Sequence, residues 1–294
     1  MYRGRLAPSP TGWMHLGHAR TFWIAQERAV QAGGRLILRD EDLDPVRSRP
    51  EFSAGMIEDL RWFGLRWDEG PDVGGACGSY HQSERAAFYR AALEVLGEGG
   101  HLYPCLCSRQ DVLRALSAPH AGDQEPIYPG TCRNRTLESS GLGRGTPMAW
   151  RFRVPEGLAL EFEDGIQGRQ RWVCGKDFGD FVVWRPDDVP SYQLAVVVDD
   201  AEMAVTEVVR GCDLLESTAR QILLYRALGH AVPRFAHVPL MTDEKGLRLA
   251  KRHAALSLRT LRARGWTPER IRQHWDRPGG IAAMMKGDAG RDIS

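Results

Sequence analysis

The sequence predicts an α/β fold built on a parallel sheet. Three observations predict it: a strand, turn, helix and strand in immediate succession at the start, amphipathic helical stretches after them, and β-branched apolar runs of strand length past residue 190. Residues 3–7 read as a strand that leads into the turn Pro8-Ser9-Pro10-Thr11-Gly12. From Leu16 onward Phe22, Ile24, Ala25, Ala29 and Val30 read as a helix that Gly33-Gly34 stops. Residues 35–39, with Leu36, Ile37 and Leu38, read as a short buried strand.

Two further helices follow, one carrying Met56, Ile57, Leu60 and Phe63 before Gly64, the other carrying Phe88, Ala91, Ala92, Val95 and Leu96 before Gly97. Residues 103–145 are rich in Cys, Pro, Gly and Arg without sustained periodicity, the texture of an insertion. The runs 194–198 and 204–209 are β-branched and apolar and suit central strands. Ser217 opens a helix with Ala219, Ile222, Tyr225 and Leu228, closed by Gly229, and Thr267-Pro268-Glu269 is a helix start, a cap followed by proline at the first helical position.

At 294 residues, 43% hydrophobic and 26% charged, the chain can bury a substantial core as one catalytic domain with an insertion or as two domains. No apolar stretch of signal-peptide length opens it and the run 194–198 is far too short to span a bilayer, so a cytoplasmic protein without membrane contact is expected. Six cysteines in such a chain point to free thiols or a metal rather than a disulfide framework. A net charge of +1 implies no whole-molecule attraction to nucleic acid, and the central arginines Arg133, Arg135, Arg151, Arg153, Arg169 and Arg171 read as a solvated face before a binding patch.

The segment from Pro8 to His18 lies between the first strand and the first helix, where open parallel sheets bind nucleotides at their carboxyl edge. His15 and His18 share a face near the helix N-terminus, where amides and dipole favour anions, and Gly17 lets a base approach the backbone. An H-x-x-H pair in isolation reads as capping or surface residues. Its context points elsewhere, because Arg5-Leu6-Ala7-Pro8-Ser9-Pro10-Thr11-Gly12-x-x-His15-Leu16-Gly17-His18 resembles the HIGH region of class I aminoacyl-tRNA synthetases, in particular the glutamyl and glutaminyl group.

The blocks Arg39-Asp40-Glu41-Asp42-Leu43-Asp44-Pro45, LRWDEGP at 65–71, Gln82-Ser83-Glu84-Arg85, 192–200 and 209–221 resemble that group in the same order, to about residue 255. Arg248-Leu249-Ala250-Lys251-Arg252 stands in place of the KMSKS-like loop, with Arg for the first Lys and Ala for the first Ser. The resemblance implies a Rossmann-type parallel sheet and activation of L-glutamate by ATP, with Mg2+ accompanying the nucleotide. It implies His15, His18 and Lys251 as catalytic groups, and His15, Gly17, His18 and Lys251 as the ATP contacts.

A substrate with two carboxylates and one ammonium needs guanidinium forks for the former and a carboxylate for the latter. Arg5 ends the first strand, Glu41 follows the second and Arg210 ends the run 204–209, so the three can meet above the carboxyl edge of the sheet. By resemblance Arg5 and Arg210 hold carboxylates, Glu41 the ammonium, Ser9 adds a hydroxyl and Tyr192 lines the pocket with Leu6, Ala7 and Pro8. Without the motifs around them, Arg5 and Glu41 read as an edge salt bridge.

Cys105-Leu106-Cys107 and Tyr128-Pro129-Gly130-Thr131-Cys132 offer three thiols and a phenol, and zinc favours four ligands in a tetrahedron. On spacing alone a metal site and buried free cysteines stand equal. The glutamyl-queuosine branch of the family carries C-x-C followed by Y-x-x-x-C here, and resemblance to it implies one structural Zn2+ on Cys105, Cys107, Tyr128 and Cys132, with residues 117–125 longer than usual.

After the KMSKS-like loop some forty residues remain, read as one or two short basic helices with Arg259, Arg262, Arg264, Arg270 and Arg272, a solvated cap on the core before a phosphate contact. Full glutamyl-tRNA synthetases read the anticodon with a large helical domain at this place. The glutamyl-queuosine branch shares the shorter form, and the resemblance implies transfer of glutamate to the queuosine base at the wobble position of tRNA(Asp); a monomer is expected. One rival is a truncated glutamyl- or glutaminyl-tRNA synthetase charging a tRNA 3′ end. Another, suggested by Arg248 and Ala250, is a non-catalytic glutamate- or RNA-binding paralogue. The expected organisation is a first catalytic half over 1–104, an insertion with the zinc site and an acceptor-binding region over 105–190, a second half with the KMSKS-like loop over 191–254, and a short helical segment over 255–294.

Overall fold

A computed structural model describes residues 1–108, 110–111, 127–136, 146–242, 249, 256–277 and 279–286. In chain order its strands are β1 Arg3–Leu6, β2 Arg35–Leu38, β3 Leu102–Cys105, β4 Ala149–Phe152, β5 Ala159–Asp164, β6 Gly168–Val173, β7 Phe181–Trp184, β8 Glu207–Gly211 and β9 Arg234–Val238. The helices are α1 Leu16–Gln31, α2 Pro50–Trp62, α3 Ala86–Glu98, α4 Tyr192–Glu202, α5 Leu215–Ala227, α6 Leu258–Ala263, α7 Pro268–His274 and α8 Gly280–Lys286. The chain divides into two compact units, one of Met1–Glu84, Val205–Asp213 and Pro233–Ser294, the other of Arg85–Ala204 and Leu214–Val232.

In the first unit β1 pairs parallel with β2, Leu6 opposite Leu38, and β8 pairs parallel with β9, Arg210 opposite His237. Strand β1 runs beside β8, where the Thr206 amide donates to the Arg3 carbonyl and the Arg3 amide to the Thr206 hydroxyl. Helix α1 starts where expected, with Leu16, Ala19, Phe22, Ala25 and Ala29 on its buried side, whereas Val30 is exposed. Its end is set by Gly33 at φ +58, and a side chain at Gly34 would collide with the Tyr2 backbone.

The C-terminal residues of this unit do not stand apart. Leu258, Leu261, Trp266 and Ile271 belong to the same buried cluster as Leu6, Leu16, Leu38 and Leu60. Thr267 caps α7 by accepting from the Arg270 amide, with Pro268 in the first turn. The basic residues expected here lie against the core: Arg259 pairs with Asp59 and Glu58, Arg262 pairs with Glu58, and the Arg272 guanidinium lies 4.1 Å from the Trp23 ring centroid. The cap reading of the segment therefore describes these arginines better than a phosphate contact.

Glu69 ties the first strand to the segment after α2. It accepts from Arg3 at 2.7 Å and from the Tyr80 hydroxyl at 2.6 Å, and the Arg3 guanidinium, aided by Tyr80, holds its carboxyl down to about 2. Because the folded value lies below the unfolded one near 4.5, this contribution is present above that pH and lost as pH falls toward 2. Glu69→Gln is expected to cost about 1–3 kcal/mol at neutral pH. Urea melts across the acid range check it: the difference from wild type shrinks below the unfolded value.

In the second unit β3, β4 and β7 form an antiparallel sheet in that order, and β5 and β6 form a hairpin with Ala159 opposite Val173. Here the structure corrects the expectation for residues 194–198, which form part of helix α4 and not a strand. Ser191 caps that helix by accepting from the Leu194 amide, and Leu194 through Asp200 are all buried. A helix covered on every side has no polar stripe, so its apolar run lacks the period that separates helix from strand. Ala204 then takes φ +51, the left-handed conformation that ends helices, and the strand expected over 204–209 begins at Glu207.

Helix α3 also differs from expectation in its buried face. Tyr89, Ala92 and Leu96 point inward, while Phe88 and Val95 are nearly half exposed. Phe88 lies instead under the Arg85 guanidinium, 4.5 Å from its ring centroid. Helix α5 opens at Leu215, two residues before the expected Ser217, and gives way to Gly229 at φ +72. No helix among the described residues is long and apolar enough to cross a membrane.

Candidate functional site

Two groups of chemistry-bearing side chains stand out, one in each unit. The first gathers at the carboxyl ends of the parallel strands. Arg5, on β1, is buried and its Nη1 donates to the Val209 carbonyl on β8 at 2.9 Å. The next residue, Arg210, is buried too, so two guanidiniums stand on neighbouring strands at the same edge. Expectation had Arg210 ending its strand; it lies within β8, one residue before Gly211.

Arg210 is oriented from behind. Its Nε donates to Nε2 of His237 at 3.1 Å, and His237, on β9, is fully buried. An imidazole that accepts at Nε2 carries its proton on Nδ1, so this contact fixes a neutral tautomer. Sequence reading missed His237, which is 27 residues from its partner; the only signal was a histidine inside an apolar strand segment just before Pro239.

Glu41 is brought to the same edge by the backbone. Its amide donates to the Pro8 carbonyl at 3.0 Å, while the Arg39 amide donates to the Leu6 carbonyl at 2.8 Å. This places Leu6, Ala7, Pro8 and Ser9 beside the loop that follows β2, with Ser9 exposed, Ala7 half-buried and Leu6 and Pro8 buried. The Glu41 side chain is paired with fully buried Arg39 at 3.0 Å, two residues away on the same loop.

His15 is the N-cap of α1: its Nδ1 accepts from the Gly17 amide at 3.3 Å, which leaves the proton on Nε2. His18 lies one turn on, exposed, stacked on Phe22 with centroids 6.4 Å apart. The Leu258 amide donates to the Met14 carbonyl, which ties the residue before the cap to the start of α6. Lys251, with Arg248 and Ala250, lies outside the described residues. Tyr192, half-exposed, opens α4 in the second unit.

The second group is that of Cys105, Cys107, Tyr128 and Cys132. Cys105 ends β3, Cys107 follows two residues on, and Tyr128 and Cys132 lie in the segment 127–132. The Tyr128 hydroxyl stands 3.5 Å from both Cys105 Sγ and Cys107 Sγ, and Cys107 Sγ stands 3.6 Å from Cys132 Sγ. Ligands on a tetrahedral zinc would stand about 3.8 Å apart for two sulfurs and about 3.5 Å for sulfur and oxygen. These three donor pairs thus stand at coordination spacing, and the three sulfurs all lie within 4.8 Å of one another with no disulfide among them.

Burial pushes the Cys107 thiol up to about 11 and the Tyr128 phenol well above its usual range. Burial also opposes ionisation of Cys132, yet hydrogen bonds from Tyr128, the Leu106 amide and the neighbouring thiols outweigh it and bring that thiol down to about 7. The arginines around the cluster are structural: Arg151 donates to Cys105 Sγ and lies 3.8 Å from the Tyr128 ring centroid, and Arg133 pairs with buried Asp180. Arg169 and Arg171 pair with exposed Glu161, a solvated face as expected.

Residues 1–284 match the family described as tRNA synthetases class I (E and Q), catalytic domain. The chain is 54% identical over 277 residues to the glutamyl-Q tRNA(Asp) synthetase of Symbiobacterium thermophilum, covering 93% of this chain and 85% of the relative. It is 52% identical over 267 residues to the enzyme of that name from Nitratidesulfovibrio vulgaris, covering 90% and 82%. Among solved structures it resembles glutamate-tRNA synthetase from Elizabethkingia anophelis, with a TM-score of 0.75 and 32% identity over 85% of this chain and 52% of that one. The chain spans about half the length of that synthetase.

Proposed function

We propose a function from one premise: the chain belongs to the class I tRNA synthetases of the glutamyl and glutaminyl group, whose catalytic domain it matches over nearly its whole length. It activates L-glutamate with ATP and transfers the glutamyl group to queuosine at the wobble position of tRNA(Asp). The observation that carries the amino-acid part is the pair of buried guanidiniums, Arg5 and Arg210, on adjacent parallel strands at one sheet edge. The 52–54% identity to two glutamyl-Q tRNA(Asp) synthetases supports the acceptor.

Arg5 and Arg210 hold the two substrate carboxylates as forks, and Glu41, on the neighbouring loop, takes the ammonium. Ser9 adds a hydroxyl, and Leu6, Ala7 and Pro8 complete the glutamate contacts in this unit. A glutamate carboxylate oxygen then attacks the α-phosphorus of ATP. The bond to the β-phosphate oxygen breaks and pyrophosphate leaves, so negative charge builds at the start of α1. His15 and His18 answer that charge with ring N–H groups, the helix terminus adds its amides, and Gly17 gives the base room at the backbone. Lys251 is the cation proposed for the other side, and Mg2+ accompanies the nucleotide. In the second step a hydroxyl of the queuosine diol attacks the glutamyl carbonyl and AMP leaves.

One Zn2+ on Cys105, Cys107, Tyr128 and Cys132 would fix the end of β3 to the segment 127–132. The fit rests on the donor set and its spacing. The purified protein is expected to retain about one equivalent of zinc, and Cys107→Ser to lose most of it. Metal analysis after gel filtration decides: zinc well below one equivalent, with no change on chelation, contradicts the site.

Labelled glutamate and ATP supplied with tRNA from cells with and without queuosine test the whole reading. Label enters only the queuosine-containing tRNA if it is right. Equal labelling of both pools contradicts it.

A further inference from the structure

A third cluster lies on the loop that carries Glu41. Asp40 and Asp42 flank that residue, and as i and i+2 positions they turn to one side while Glu41 turns to Arg39. On their side stands His81, whose Nδ1 is 3.2 Å from Asp40 Oδ2 and 4.0 Å from Asp42 Oδ2. One ligand atom from each of the three residues lies within 4.8 Å of the others.

The arrangement is built by the backbone. The Asp40 amide donates to the Tyr80 carbonyl at 2.9 Å and the Gln82 amide to the Asp40 carbonyl at 3.0 Å, which sets His81 beside Asp40. Ser83 then holds Asp42 from both its amide, at 2.8 Å, and its hydroxyl, at 2.6 Å. The Ser53 hydroxyl, on α2, donates to Asp40 Oδ2.

What this network does not satisfy is the other Asp40 oxygen. Asp40 is 1% exposed, and its Oδ1 is buried with no hydrogen-bond partner among the described residues. A buried carboxylate oxygen left without a donor is costly, and a cation bound beside it would remove that cost. No arginine or lysine is recorded in an ion pair with Asp40; its one ion-pair partner among the described residues is His81.

The geometry points to a second metal site, in which Asp40, Asp42 and His81 bind one exchangeable divalent cation of the Mn2+ class and rivet the Glu41 loop to the segment 80–83. Two carboxylates and one imidazole suit such a borderline-hard ion, whereas the thiol cluster selects zinc. Ligands at about 2.1 Å from a metal stand roughly 3.0–3.4 Å apart. The His81–Asp40 distance already matches, whereas Asp42 Oδ2 stands 4.0 Å from His81 Nδ1 and would have to shift against its bonds to Ser83 to complete the set. The site does not depend on the glutamate reading, because its ligands are separate from Arg5, Glu41 and Arg210.

Zinc-loaded full-length protein, without ATP, would be titrated with Mn2+ at slightly alkaline pH and free ion followed by electron paramagnetic resonance. One Mn2+ per chain is expected, with His81→Gln and Asp42→Asn each weakening binding at least ten-fold while zinc content and thermal midpoint in metal-free buffer stay unchanged. No bound Mn2+ in the wild type overturns the site. Wild-type affinity in both variants overturns it as well.

Discussion

Arg210→Ala is expected to reduce glutamate-dependent exchange of pyrophosphate into ATP to background, a loss of at least about 100-fold in kcat/KM, since removing one partner of a buried charge pair costs about 2–5 kcal/mol. The substitution removes a fork from the substrate and takes from His237 the donor it accepts from. Two variants separate those effects. Arg210→Lys keeps the charge but not the fork and still loses most activity, because a single ammonium cannot make two parallel bonds to a carboxylate. His237→Gln keeps Arg210 but loosens its aim, so KM for glutamate rises more than kcat falls. Unchanged exchange by the Arg210→Ala enzyme would remove the assignment of the amino-acid site.

The second large effect is expected at the start of α1. His15→Asn and His18→Ala should each lower the rate of adenylate formation by about 10²–10³-fold while glutamate affinity changes little, because these groups act on charge that develops at phosphorus. Asparagine is chosen at position 15 because the residue is also the N-cap of the helix, and asparagine caps as well as any residue. It keeps the bond to the Gly17 amide and loses the Nε2 proton on the far side of the ring. His18 is exposed, and its removal gives up the stacking on Phe22. Rapid-quench measurement of adenylate, with glutamate affinity measured by calorimetry, separates the two steps. A loss confined to glutamate binding would count against the role of the histidines.

Most of the proposed site's edge was legible because its residues, Arg210 apart, are local in sequence. Arg5 through His18 form one string, and Glu41 comes three residues after the second strand. The parallel opening was legible for the same reason: alternate burial, turn residues and helix caps are all encoded within a few positions. Residues 194–198 were not, because burial on every side erases the polar face that would have marked them as helix. Nor was the inward face of α3. Phe88 and Val95 fit the helical period as well as Tyr89 does, and only tertiary contacts choose between them. His237 and His81 carry a related lesson. Each owes its setting to a partner 27 or 41 residues away, and a single histidine gives no sign of that in the chain.

The spacing of Cys105, Cys107, Tyr128 and Cys132 was open on sequence grounds between a metal site and buried thiols. Bringing the phenol to 3.5 Å from two sulfurs favours the first, since apolar packing alone gives no reason to gather four donors around one point. The C-terminal arginines moved the other way. Arg259, Arg262 and Arg272 are engaged with Asp59, Glu58 and Trp23, which accounts for them without RNA.

The acceptor is the central claim, and locating the label on the tRNA tests it most directly. Queuosine-containing tRNA(Asp) charged with labelled glutamate would be digested to nucleosides and the labelled product identified by mass. Glutamyl-queuosine from the wobble position, with no label on the 3′-terminal adenosine, is the predicted result. Label on that adenosine, or on tRNA that lacks queuosine, would contradict the account.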